Sequence, residues 1–359
     1  MARVFMKGCE AIAEAAVRAG CRFFAGYPIT PQNEIPEYLA RRLPEVGGVF
    51  VQGESEIASV SMVYGAAAAG TRSMTSSSSP GIALKSEGIS YCASARIPMV
   101  YANISRGGPG VGSIHPAQMD YLQATKASGN GGFEMMVFAP STVQEATDMT
   151  YDAFGYADRD RNPVLILGDG LIGALMEPVE LPRLKSDKEV AEIKASKKTW
   201  ACVGHKLDYE HRSWIEPGHW SILMQQKANE KAAVLYESWQ KNDVQVEEYM
   251  TEDAELILTA YGTSARVARS VVDLLRKEGR KVGLIRPLTV HPFPFESFGK
   301  LNYAKVKAVL DVEMSIPAQM LQDVDRAVKD RCPVHTCLCS GGNIMKKGQL
   351  LEAVGKLLK

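Results

Sequence analysis

The sequence predicts an α/β protein built on parallel sheets. Short apolar runs recur at the spacing of βαβ units, with helical periodicity between them. Along the first half these runs end in Gly-, Pro- or Ser-rich loops: GYPITP from Gly26, GESE from Gly53, TSSSSPG from Thr75, ISRGGPG from Ile104 and GDG from Gly168. A shorter alternation of the same kind begins near Glu252, after a stretch of different composition. In open α/β sheets a ligand sits outside the carboxyl ends of the strands, which is where those five loops fall. Loops of this composition are also what turns are made of.

Taken in order, residues 8–20 read as an amphipathic helix and Cys21 to Pro28 as a buried strand entering a turn. Pro28 and Pro31 forbid helix until Pro31, which suits a first helical turn. Gln32 to Leu43 continues as helix, with Ile35, Leu39 and Leu43 on one face. Val49 to Val51 is a short strand before a helix that ends at Gly70, and Arg72 to Thr75 another strand. Helix from about Ile82 to Ala95, strand from Pro98 to Ile104, an irregular segment to about Gly132 and strand from Glu134 to Ala139 follow. Ser141 caps a helix with Glu145 in its first turn, and Pro163 to Leu167 closes the set. The expected organisation is a first domain at 1–182, a connector at 183–250 and a second domain at 251–359. The connector is rich in Lys and Glu and holds Trp200, Trp214, Trp220 and Trp239, which serve either as packing anchors or as a partner surface. In the second domain Glu255 to Tyr261, Lys281 to Ile285, Val306 to Val312 and a segment near Val334 read as strands, with helices at Ala265 to Glu278, Met320 to Val328 and around Leu350. Tyr261-Gly-Thr-Ser264 is either an anion-binding helix start or a plain cap by Thr263 or Ser264.

At 359 residues, two domains are the natural expectation. Lys+Arg and Asp+Glu both number 41, so no electrostatic case exists for nucleic acid or an anionic membrane. No apolar run reaches the length of a membrane span, and Glu10, Glu14 and Arg18 interrupt what a signal peptide would need, so a cytoplasmic protein is expected. The seven cysteines lack framework spacing and are expected to be reduced. Cys332, Cys337 and Cys339 with His335 are the nearest thing to a metal cluster, but tight metal loops use C-x-x-C pairs, and no metal is expected.

The stretch Gly53 to Gly70 organises the first domain. Glu56 opens a helix rich in small residues, of which Ala58, Ser61, Gly65, Ala68 and Ala69 are expected to allow close approach of another backbone. The helix dipole favours the ionised side chain and burial opposes it, which makes Glu56 a candidate for proton chemistry on a bound heterocycle. An ordinary first-turn acid is the alternative, and Glu54 is the competing carboxylate.

GYPITPQNEIPEYL, ESEIASVSMVYGAA, TSSSSPGIALKSEGISY, RGGPGVG and RPLTVHPFP together resemble the alpha subunit of 2-oxoacid:ferredoxin oxidoreductases. The resemblance covers most of the chain and is weakest between about 183 and 250. SSSSPGIALKSEGISY followed by RGGPGVGSIHPAQMDYLQATK is most similar to the branched-chain, 2-oxoisovalerate type. The segment Ala127 to Phe133 departs from that type, which carries a Gly-rich loop with a His there.

The resemblance implies a pyrimidine-type thiamine diphosphate-binding parallel-sheet domain followed by a transketolase C-terminal-like α/β domain. It implies oxidative decarboxylation of a 2-oxoacid to an acyl-CoA, with electrons passed to ferredoxin. A beta subunit would grip the diphosphate and Mg2+, while gamma and delta subunits complete the assembly and iron–sulfur clusters lie outside this chain. Glu56 matches the acid of the family motif that holds the pyrimidine ring nitrogen, and Pro28, Ile29, Ser78 and Ser79 are expected near the cofactor. Thr30 and Arg106 are expected to hold the substrate carboxylate, with Gly107 and Gly108 allowing close backbone approach. A turn hydroxyl and a surface ion pair are the alternatives for those two, and His115 is a lone loop histidine. A 2-oxoglutarate or pyruvate type, a non-catalytic scaffold subunit and a transketolase-like synthase without redox chemistry remain as competing functions.

Overall fold

A computed structural model describes residues 3–126, 128–204, 213–219 and 221–358. The first domain is organised on a sheet whose strands run Val49–Gln52, Phe23–Gly26, Ser73–Ser77, Val100–Gly107, Val164–Asp169 and Met136–Phe138 in spatial order. All five neighbour pairs are parallel. Side chains alternate between two cores. Val100, Ala102, Val164 and Ile166 face one cluster, and Tyr101, Leu165 and Leu167 face the other. Burial on both faces is why Val164–Asp169 and Met136–Phe138 begin as continuous apolar runs, whereas Val49–Gln52 is only partly covered at its edge position. The helices Gly8–Arg18, Glu34–Glu45 and Val143–Asp160 cover one face, and Glu56–Ala68 packs on Ser79–Ser94 on the other.

The second sheet runs Val246–Tyr249, Val282–Pro287, Leu256–Thr259, Ala308–Glu313 and Val334–Leu338, parallel except for its first strand. Several strands lie where no local pattern announces them. Val246–Tyr249 comes from the stretch expected to be connector, and its pairing with Val282–Pro287 makes it an edge strand. Thr289–His291 leaves the second unit and adds antiparallel to Met136–Phe138 of the first sheet. The segment expected to be irregular holds the strand Ser113–Pro116 and the helix Tyr121–Thr125. Cross-strand partners supply these elements, and local patterning cannot report them.

The tryptophans divide between the two expected roles. Trp239, on the helix Ile222–Asn242, is buried and its Nε1 donates to Asp160 Oδ2 at 2.8 Å. Trp200 lies under the Arg161 guanidinium, 4.4 Å away. Trp214 is 70% exposed, and Trp220 falls outside the described residues.

The seam between the two units is polar and dense. Gln118 Nε2 donates to the Tyr261 carbonyl at 2.7 Å, and its Oε1 accepts from Ser264 Oγ at 2.6 Å and from the Met314 amide at 2.9 Å. Asp169 caps the helix Gly170–Ala174 and also accepts from the Thr263 amide at 3.0 Å and Thr263 Oγ1 at 2.7 Å. Neither Thr263 nor Ser264 caps its own helix Gly262–Lys277, which begins after Tyr261. The anion at that helix start is the protein's own Asp169, whose carboxyl burial pushes upward against the bonds from Thr263. Gly262 sits at φ +53°, and a Cβ there would stand 3.0 Å from both Asp169 Oδ2 and Gln118 Nε2. Gly262→Ala therefore combines left-handed strain with a clash at the seam. Its expected cost is about 1–3 kcal/mol of unfolding free energy, read from urea denaturation against wild type.

Candidate functional site

The five loops lie at the carboxyl ends of the first sheet's strands, and Glu56 follows the edge strand Val49–Gln52, beside the Ser77 and Gly81 end of the next loop. Ser55 caps the helix Glu56–Ala68 by accepting from the Ala58 amide at 3.1 Å, which places Glu56 at the first helical position. The Glu56 side chain is only 5% exposed, whereas Glu54 is exposed to solvent. Ser77 Oγ, at the end of its strand, donates to Glu56 Oε1 across a long 3.4 Å. Gly81 closes over the same carboxylate: a Cβ there would lie 2.4 Å from Glu56 Oε1 and 2.0 Å from Ser77 Oγ. Two turns along, a Cβ on Gly88 would meet Val60 Cγ1 at 2.4 Å.

Close packing of the two helices thus rests on glycines of the second helix. The small residues Ser61 and Gly65 of the Glu56 helix are exposed instead, and nothing lies within 4 Å of a Cβ on Gly65. Only Ala68 among the five small residues is buried. The reason is the rotation of the helix, which turns Val60, Val63 and Ala67 inward.

Arg106 is 7% exposed and spends its cation on backbone. Nη1 donates to the Thr30 carbonyl at 2.8 Å and Nη2 to the Val111 carbonyl at 3.0 Å. It therefore ties GYPITP to the RGGPGVG loop. Its buried Nε has no partner among the described residues, and none of them supplies a carboxylate to the guanidinium. Thr30 itself is exposed, as is Pro28, while Ile29 is half-buried. Gly107 is buried and Gly108 lies half-buried with open space where a Cβ would be. The sequence expectation of Thr30 and Arg106 as neighbours is met through the Thr30 carbonyl, and the two side chains are not bonded to each other.

Ser79 is the hub of the site. Its Oγ donates to Asp120 Oδ2 at 2.6 Å and accepts from the Arg106 amide at 2.9 Å, and its own amide donates to Asn103 Oδ1 at 3.1 Å. Asn103 Nδ2 reaches the same Asp120 oxygen at 2.9 Å. Burial pushes the Asp120 carboxyl up, against the hydrogen bonds from Ser79 and Asn103. The hydroxyl of Ser79 is consumed by this network. Ser78 Oγ and Gln32 Nε2, both buried, have no partner among the described residues.

Three of these residues were not singled out from sequence. Asp120 lies in the segment expected to be irregular, and Asn103 lies in the strand expected at Pro98 to Ile104, where a lone polar residue in an apolar run was the only signal. Lys85 is different. It shares the buried face of Ser79–Ser94 with Ile82, Ile89 and Cys92, so a lysine in an apolar helical register was the available signal. Lys85 is fully buried, and its Nζ donates to the Glu56 carbonyl at 3.3 Å. Burial pushes the ammonium down to about 8, against the attraction of Glu56.

The departing loop, of which Ala127 lies outside the described residues, packs lower on that helix. Gly129, at φ +56°, would set a Cβ 2.2 Å from the Ser86 carbonyl and 3.0 Å from Ser90. It therefore abuts the helix more than a turn away from Gly81. His115 is exposed and packs against Gly342, where a Cβ would come 2.5 Å from its own. Cys337 and Cys339 do not converge on one point: Cys339 Sγ donates to the Asn343 carbonyl at 3.1 Å, while Cys337 Sγ lies 3.9 Å from Met345 Sδ.

The residues around Glu56 fit an aminopyrimidine ring. The buried Glu56 carboxylate carries one long hydrogen bond among the described residues, Gly81 presents no side chain to it, and Ser78 Oγ is unpartnered at the end of the neighbouring strand. Fold and site together define a thiamine diphosphate-binding α/β protein with a transketolase-like second unit. Residues 14–247 match the family described as pyruvate flavodoxin/ferredoxin oxidoreductase, thiamine diP-bdg, and residues 254–350 match pyruvate:ferredoxin oxidoreductase core domain II. The chain belongs to the 2-oxoacid:ferredoxin oxidoreductase family and corresponds to its alpha subunit. It is 41% identical to ketoisovalerate oxidoreductase subunit VorB of Methanothermobacter marburgensis, over 99% of this chain and 98% of that protein. It is 34% identical to 2-oxoglutarate synthase subunit KorA of Methanocaldococcus jannaschii, over 98% of each. Among solved structures, 2-oxoglutarate:ferredoxin oxidoreductase from Magnetococcus marinus, with 2-oxoglutarate, coenzyme A and succinyl-CoA bound, superposes with a TM-score of 0.84 at 25% identity. That match covers 99% of this chain and 65% of the other. A split-gene transketolase at TM-score 0.59 and 14% identity shares the fold.

Ser79→Ala removes one hydroxyl, leaving the Arg106 amide without its acceptor and the Asp120 carboxylate without one of its two donors described above. Its expected cost is about 1–3 kcal/mol in chemical denaturation, the penalty for unsatisfied buried groups.

Proposed function

We propose that this chain forms the pyrimidine side of the active site in a multi-subunit oxidoreductase acting on a branched-chain 2-oxoacid, 2-oxoisovalerate being the type case. The observation that carries the reading is the Glu56 carboxylate, buried at a helix start beneath Gly81 with a single long hydrogen bond from Ser77. A carboxylate so placed has capacity left to share a proton with a ring nitrogen. Bound thiamine diphosphate supplies the carbanion and electron sink that oxidative decarboxylation needs. Glu56 then holds and moves the proton at the pyrimidine, and Pro28, Ile29 and Ser78 line the ring.

Substrate contacts fall to Thr30, Arg106, Gly107 and Gly108. The unpartnered Nε of Arg106 and the exposed Thr30 hydroxyl are the donors open to a carboxylate. The two bonds from Arg106 to the Thr30 and Val111 carbonyls hold both loops in register for that contact. The branched-chain assignment draws on the 41% identity to ketoisovalerate subunits against 34% for one 2-oxoglutarate subunit.

The partner subunits enter because one face of the site is bare. Ile57, Met62, Leu84 and Tyr91 are exposed on the two helices that flank Glu56. We assign that face to a beta subunit that grips the diphosphate and Mg2+, with iron–sulfur clusters in gamma and delta subunits and coenzyme A as the acyl acceptor. All seven cysteines are free, which fits a reducing, cytoplasmic setting. The domain limits 1–182, 183–250 and 251–359 are kept as working boundaries, with Val246–Tyr249 at the start of the second sheet.

In the assembled complex, Glu56→Gln is expected to lower kcat by about 10²-fold or more, the usual contribution of a general acid–base group. Dye or ferredoxin reduction measures it, and near-full activity would remove the assignment. In a panel of 2-oxoacids, 2-oxoisovalerate is expected to lead in kcat/KM; preference for 2-oxoglutarate would transfer the chain to the other type.

A further inference from the structure

Lys85 stands out as a buried cation without a carboxylate bonded to it. It is fully buried, and its three donors have one acceptor among the described residues, the Glu56 carbonyl at 3.3 Å. A buried ammonium with so few bonds is costly, and an apolar residue would suit its place between Ile82 and Ile89. We propose that Lys85 is a positioning residue for the reaction: its ammonium, set behind the first turn of the Glu56 helix, sets the charge of the Glu56 carboxylate that shares its proton with the cofactor. This rests on the reading of Glu56 given above.

The helix Ser79–Ser94 packs against Glu56–Ala68 and against the strand Val100–Gly107. The titratable and charged groups on those elements are Glu56, Tyr64, Tyr101 and Arg106. Glu56 is the one whose charge acts on Lys85, where its attraction opposes the loss of the proton that burial favours. The ammonium is thus a buried positive charge fixed to the backbone of the turn that carries Glu56. As Lys85 loses its proton near pH 8, that charge is withdrawn.

The test compares wild type, Lys85→Met and Lys85→Arg in the assembled complex. In wild type, kcat is expected to fall on the alkaline side near pH 8. Lys85→Arg keeps most of the rate and moves that limb upward, because a guanidinium holds its proton beyond roughly pH 12. Lys85→Met loses about tenfold in kcat at neutral pH and has no limb of this origin. Independently of turnover, the pH at which thiamine diphosphate affinity declines, followed by calorimetric titration, shifts upward in Lys85→Met and not in Lys85→Arg.

Thermal unfolding separates charge from packing. Burial that lowers a lysine's proton affinity penalises the folded state at neutral pH, and the penalty is relieved as pH rises from 8 towards the ordinary lysine range. Wild type should therefore gain stability over that interval and Lys85→Met should not. Coincident rate and affinity profiles for wild type and Lys85→Met overturn the inference, whatever the change in rate. If they coincide while Glu56→Gln is inactive, only the role of Lys85 fails; if Glu56→Gln is active, the reading of Glu56 fails as well.

Discussion

The structure depends on one close approach: a helix that carries glycine where another helix begins with a carboxylate. Gly81 lets Ser79–Ser94 settle on the first turn of Glu56–Ala68 with no atom between its Cα and the Glu56 oxygens. Buried there, the carboxylate has the distant Ser77 hydroxyl as its one hydrogen-bond donor among the described residues. Gly88 repeats the contact against Val60, so the approach is maintained along both helices. The sheet edge, the loops and the lysine behind the turn are arranged around that contact.

Arginine and serine do the work of assembly at this edge. Arg106 ties together two loops that are far apart in sequence, and the bonds it makes are to carbonyls, which leave its charge uncancelled. A guanidinium held this way keeps a net positive field in a water-poor site, where it attracts an anion more strongly than an exposed ion pair would. Ser79 and Asp120 fix the Arg106 backbone from below. Loop geometry and the local positive field are thus properties of the same residue.

Acids also answer helix starts in the second unit, one of them supplied by the first. Asp169 faces the start of Gly262–Lys277, and Glu313 accepts from the amides of Gln319 and Met320 ahead of Leu321–Val328. Each helix dipole is answered by a side chain from another element, which locks the elements together. Asp311 has no such partner: both its oxygens lack hydrogen-bond partners among the described residues, and burial with Glu313 beside it pushes its carboxyl well above the usual carboxylate range. A neutral Asp311 is the form that a sheet interior tolerates.

The sequence by itself determined the fold class and the organising glutamate. The βα rhythm, the loops at strand ends and the long motifs at GYPITP and RPLTVHPFP are local signals, and they placed most strands of both sheets. Edge strands such as Thr289–His291 and Val246–Tyr249 were silent because their partners are remote in sequence. The sequence also marked Ser79 and Arg106 as polar site residues. It could not report that the hydroxyl of Ser79 is spent on Asp120 or that Arg106 donates to two backbone carbonyls. Which face of the Glu56 helix turns inward was decided by packing, which put Ser61 and Gly65 outside and Val60 and Val63 inside. Burial, register and hydrogen-bond partnership are properties of residues brought together from across the chain. They exist only once the tertiary structure has formed.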